Sequence, residues 1–84
     1  MIDVHYFASI RESLGLAQEQ ISANPEITTV LALMNALVVR HGEPWDTVLH
    51  QSKVLMAVNK TVARPDSAIK DGDEVAFFPP VTGG

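Results

Sequence analysis

From the second residue the chain alternates apolar and polar positions. Ile2, Val4, Tyr6 and Ala8 fall on one side and Asp3, His5 and Phe7 on the other, the period of a strand with one buried face. Ser9 then stands three residues before Glu12, the spacing of a capping box. A short helix from about Ile10 to Leu14 is expected, stopped by Gly15. Gln18 to Ser22 reads as a second strand, broken by Asn24 and Pro25. After it Val30, Leu31, Met34, Leu37 and Val38 recur at helical spacing. The main helix therefore starts from Thr28 or Thr29 as N-cap, with Ile27 packing just outside. Arg40 and His41 suit its negative end, and Gly42 is placed to terminate it.

The stretch from Glu43 to Ser52 carries the weakest pattern. Pro44 at a first turn, followed by Trp45, Val48 and Leu49, permits a short helix folded back on the core. "KVLMAVN" is an apolar strand, Asn59-Lys60 a turn, and Thr61 to Ala63 a further extended piece. Asp71-Gly72 then turns the chain into a last strand, with Val75 and Phe77 on one face and Ala76 and Phe78 on the other. Strand, strand, helix, one or two strands, strand: one long helix can cover one face of a mixed sheet, an α+β roll. The strongly apolar first and last strands are the candidates for a central parallel pair. No internal repeat is present.

Composition narrows what such a domain can do. At 84 residues the chain supports one core, read as a domain over 1–78 with an extended tail over 79–84. A hydrophobic content of 46% with a net charge of −4 describes a globular chain. The absence of cysteine removes thiol catalysis, thiolate metal sites and iron–sulfur ligation together. No apolar run approaches the ~18 residues of a membrane span, and the first residues lack the pattern of a secretory signal, so a cytoplasmic location is expected. The acidic balance weighs against nucleic acid and makes a basic protein partner the natural one.

Familiar catalytic arrangements are missing. His5, His41 and His50 lie on separate segments and form no i, i+4 pair with one another, so no metal site is expected. The serines include no G-x-S-x-G elbow, no phosphate-cradling G-x-x-x-x-G-K-[ST] loop exists, and Asp71, Asp73 and Glu74 read as a turn rather than part of a calcium loop.

The C-terminus, "EVAFFPPVTGG", is left. Pro79 and Pro80 have no N–H to donate and fix φ, so strand pairing ends there and the chain continues extended. Val81, Thr82, Gly83 and Gly84 can reach roughly 13 Å further at ~3.3 Å per residue. Without Cβ atoms, Gly83 and Gly84 fit a channel that other residues would block. The terminal carboxylate of Gly84 is ionised at neutral pH and can attack an activated phosphate. The end of the main chain is itself a candidate reactive group.

"FASIRESLG" near the start and "DGDEVAFFPPVTGG" at the end resemble the small subunit of molybdopterin synthase, the MoaD-type sulfur carrier family, over the span from Ile2 to Gly84. The resemblance implies a ubiquitin-like β-grasp fold. It implies that Gly84 is adenylated by an E1-like, ATP-dependent activating enzyme, that a sulfur donor protein displaces AMP, and that the Gly84 thiocarboxylate enters the large synthase subunit. There two carriers in succession would deliver the dithiolene sulfurs to cyclic pyranopterin monophosphate, in a heterotetramer of two small and two large subunits. No stably bound cofactor is implied. Carried over to this sequence, Phe78, Val62 and Arg11 become partner contacts, while Pro79, Pro80, Val81, Thr82 and Gly83 thread the partner's site. Phe78 is read as facing out and Phe77 in. Sulfur carriers of thiamine synthesis or tRNA thiolation, and ubiquitin-like protein modifiers, share the Gly-Gly end and are the competing expectations.

Overall fold

The computed structural model describes residues 1–51 and 53–80. Its elements in chain order are β1 (Ile2–Tyr6), α1 (Ala8–Leu14), β2 (Gln18–Ile21), α2 (Val30–His41), α3 (Trp45–Leu49), β3 (Leu55–Val58), β4 (Thr61–Ala63) and β5 (Glu74–Phe78). The strands make one sheet in the order β2-β1-β5-β3-β4. β1 and β5 pair in parallel, from Asp3 opposite Glu74 to Tyr6 opposite Phe77, as the apolar character of both predicts. The other pairings, β1–β2, β3–β5 and β3–β4, are antiparallel. This is an α+β, β-grasp arrangement with every helix segregated from the sheet's outer face.

Alternation decides which side chains meet. Ile2, Val4, Tyr6, Val75 and Phe77 point inward and are all but inaccessible. α2 covers them with the row Val30, Leu33, Met34 and Leu37, the i, i+3, i+4, i+7 stripe of an amphipathic helix. The stripe differs from the expected one at Leu31. Leu31 is 44% exposed and Leu33 is buried in its place, because Leu31 lies about 100° around the helix from Val30, away from the sheet. Val38 packs at the margin of the core and Ile27 within it. Thr29 is the N-cap, its Oγ1 accepting from the Ala32 N–H at 3.1 Å.

The expected capping box does not form. α1 begins at Ala8, with Phe7 as N-cap and no side-chain cap bond, and the Ile10 and Arg11 amides bond the Phe7 carbonyl. β1 ends at Tyr6 and the chain bends immediately, so Ser9 lies inside the first turn, out of reach of a cap position. Ala8 is thereby an exposed helical residue with φ 51° rather than a strand residue on the core side. Gly15, at φ 71°, closes α1 in the left-handed conformation that favours glycine.

The poorly patterned stretch after Gly42 is the short helix α3, which buries Trp45, Val48 and Leu49. A polar cluster anchors it. The partly buried Glu19 carboxylate on β2 accepts from Tyr6 Oη at 2.7 Å and from His41 Nε2 at 2.8 and 2.9 Å. Arg40 Nε stands 3.6 Å away. Trp45 Nε1 donates to Tyr6 Oη at 3.1 Å, and the His41 ring stacks on Trp45 at 3.9 Å between centroids. Burial, helped by Glu19 and opposed by the Trp45 bond, pushes the Tyr6 phenol well above its ordinary range. It remains a donor to Glu19 at every physiological pH.

Asn59 and Lys60, at φ 50° and 68°, make the primed turn that suits a β3–β4 hairpin. Asn59 Nδ2 also donates to the buried Asp73 carboxylate at 3.0 Å, and the Lys70 N–H does so at 2.9 Å. These bonds, the Asn59 one first, hold the Asp73 carboxyl below its usual value against the opposing effect of burial. A depressed folded-state pKa gives stability that is complete above the unfolded value of ~3.9 and lost as pH falls through the lower folded one. Asp73→Asn is therefore expected to be less stable than wild type at neutral pH and to lose stability less steeply between roughly pH 5 and pH 2, measured by urea unfolding. Equal slopes would deny Asp73 this role.

Candidate functional site

The outer face of the sheet has no helix over it, and its side chains form three rows across the strands. Gln20, Asp3 and Glu74 make a polar row, in which Gln20 Nε2 donates to Asp3 Oδ1 at 2.8 Å. Gln18, His5, Ala76, Ala57 and Val62 make the middle row, from one sheet edge to the other. Phe78 opposite Leu55 makes the third, and Phe7 lies beside it because its N–H bonds the Phe77 carbonyl at 3.1 Å. The rows become more apolar towards the C-terminal end of β5. His5 sits at the divide, its ring stacked on Phe7 at 6.2 Å and its Nε2 3.7 Å from Glu74.

Several of these side chains are unusually accessible for their type. Val62 is 79% exposed, Phe7 44% and Leu55 37%. Contiguous apolar surface of this kind marks an interaction site, whereas scattered apolar residues need no explanation. β5 ends within it at Phe78, followed by the half-buried Pro79 and the exposed Pro80.

A family model described as the ThiS family matches residues 4–84. The chain belongs to the ThiS family. It is 43% identical to the molybdopterin synthase sulfur carrier subunit of Escherichia coli (strain K12), over 100% of both chains. Among solved structures it resembles SAMP1 from Haloferax volcanii with a TM-score of 0.76 at 28% identity, covering 99% of this chain and 98% of that one. It also resembles a chain in the complex of subunits 1 and 2 of the molybdopterin-converting factor from Helicobacter pylori 26695, with a TM-score of 0.64 at 25% identity, covering 99% of this chain and 97% of that one.

For a ThiS-family chain the placement of the sequence-predicted residues is informative. Phe77 is fully buried and Phe78 stands half-buried on the outer face, as the alternation predicts. Val62 shares that face, but β3 separates its strand from β5 and Ala57 lies between. Arg11 is exposed on α1, one turn beyond Phe7. Val81, Thr82, Gly83 and Gly84 lie outside the described residues. Phe7 and Leu55 complete the patch, a role the sequence alone does not assign to them, and Ala57 is buried between the strands. Alternation assigns Phe7 to the outer side, but only the β3–β5 register reveals Leu55 as the neighbour of Phe78.

Among the described residues no group of three or more His, Asp and Glu side chains could hold a metal ion, and no helix is long and apolar enough to cross a membrane. The polar groups that cluster most tightly, around Glu19, lie on the inner side of the sheet and satisfy one another.

The two phenylalanines should separate core from surface. Phe77→Ala is expected to cost about 3–5 kcal/mol in urea unfolding, and Phe78→Ala about 1 kcal/mol or less because the ring is already partly solvated. Equal costs would contradict the assignment of faces.

Proposed function

We propose that this chain is the sulfur carrier of molybdopterin synthase and that the outer sheet face is the surface on which it docks to the large subunit. The observation that carries the reading is the apolar surface around Phe78, Leu55 and Val62 that extends to the exit of β5, at the root of the Gly-Gly tail. Full-length likeness to named sulfur carrier subunits supports it.

The chemistry runs at Gly84. A carboxylate is a poor acyl donor because oxide would have to leave. One carboxylate oxygen therefore attacks the α-phosphate of ATP on an E1-like activating enzyme, and pyrophosphate departs. Hydrosulfide released by a donor protein then attacks the acyl carbon of the adenylate, AMP leaves with the bonding pair, and the S–H proton is lost to solvent. The thiocarboxylate so formed is softer and more nucleophilic than the carboxylate. Delivered into the large subunit, its sulfur attacks a carbon of cyclic pyranopterin monophosphate and displaces an oxygen substituent that leaves with the C–O pair; water then cleaves the acyl–sulfur bond, leaving the sulfur on the pterin and restoring the Gly84 carboxylate. Two carriers in succession account for the two dithiolene sulfurs and for a heterotetramer of two small and two large subunits. With no cysteine in the chain, no internal thiol competes for the activated carbonyl. Pro79 and Pro80 set the direction of the arm, Val81 and Thr82 span its length, and Gly83 passes the narrow point of the channel. The cytoplasm, where ATP is available, is the compartment this chemistry requires.

A second reading, a protein modifier joined through Gly84 to a lysine, is favoured by the likeness to SAMP1, a small archaeal modifier protein. Intact-mass spectrometry separates the two. Incubation with activating enzyme, ATP and a sulfur donor is expected to replace one oxygen by sulfur at Gly84. Lysine adducts without that replacement would favour the modifier. Gly83→Ala is expected to slow both activation and transfer. Val62→Asp should weaken binding of the large subunit about tenfold or more while leaving activation of the free carrier measurable.

A further inference from the structure

A pocket of about 340 Å³ opens beneath the β3–β4 edge, its walls including Leu31, Met34, Met56, Ala63 and Arg64. Leu55 lines it as well and also stands in the apolar row beside Phe78. The pocket is thus continuous with the proposed docking face but reaches round the sheet edge to the first turn of α2. An apolar recess of this size admits one large side chain, the arrangement in which anchoring residues of protein interfaces are found.

The charge around it departs from that of the chain as a whole. Net charge is −4, yet the described residues that line the pocket include Arg64 and no Asp or Glu. Among the described residues Arg64 has no carboxylate within 4.0 Å, whereas Arg40 and Lys70 each have one. The chain-wide balance points to a basic partner. The local balance at this edge points to an acidic one, and local complementarity governs orientation and rejection of wrong partners.

We propose that the pocket receives one apolar side chain from an acidic segment of the large subunit, whose neighbouring carboxylate pairs with Arg64. This rests on the reading of the outer face as the large-subunit surface and adds a second anchor to it. A contact beneath the edge, added to the contact on the face, further restricts the carrier's rotation about the tail axis. The tail then enters the partner's site in a narrower range of orientations.

The test uses the full chain and the purified large subunit, with dissociation constants from titration calorimetry at about 0.05 M and 0.3 M salt. Leu31→Glu places a carboxylate in the first turn of α2, where the helix dipole favours it, on a residue already 44% exposed. It is expected to bind about tenfold more weakly than wild type with an unchanged melting temperature. Arg64→Glu, an independent and exposed position, is expected to bind about three- to tenfold more weakly at low salt and to lose most of the salt dependence. Wild-type affinity in either variant while Val62→Asp is impaired overturns the second anchor and leaves the docking face standing. Wild-type affinity in all three overturns both.

Discussion

The parallel ladder between β1 and β5 joins segments from opposite ends of the chain, and the rest of the architecture is arranged around it. Parallel strands require a long crossover, and here almost everything else in the chain serves as that crossover. The loop-closure cost of such a pairing is high relative to a hairpin. It is met by burying Ile2, Val4, Tyr6, Val75 and Phe77 together against α2. Once β1 and β5 are side by side, β2 and β3 have only their outer flanks left to pair with. The C-terminal end of β5 therefore lies in the middle of the sheet rather than at a fraying edge.

The sheet divides the molecule chemically as well as spatially. On the inner side, Glu19, Tyr6, His41, Arg40 and Trp45 satisfy one another across β2, β1, α2 and α3. Such a closed network specifies one arrangement of a core and leaves nothing free for substrate chemistry. On the outer side, polarity falls from Asp3 and Glu74 through His5 to Phe78.

Much of this was legible in the sequence because it depends on local periodicity. Period-two alternation separated Phe77 from Phe78, and the β1 and β5 patterns marked the central pair. Thr29, Gly15 and Gly42 announced helix ends through backbone chemistry that is intrinsic to those residues. What failed depended on tertiary placement. Ser9 and Glu12 have capping spacing, but the point at which β1 releases the chain puts both inside α1. Leu31 and Leu33 are equally apolar, and only the angle at which α2 meets the sheet decides which is buried. Leu55, Phe78 and Val62 form one surface through register across three strands, a relation that single-strand patterns do not contain.

The position of β5 also has a mechanical meaning. A pull on the C-terminal end of the chain acts along the axis of a strand that is hydrogen-bonded on both flanks, parallel to β1 and antiparallel to β3. The load is shared by both ladders in shear, so the strand cannot be peeled away one bond at a time as an edge strand can. Tension applied at the C-terminal end of β5 is therefore borne without unravelling the body behind it.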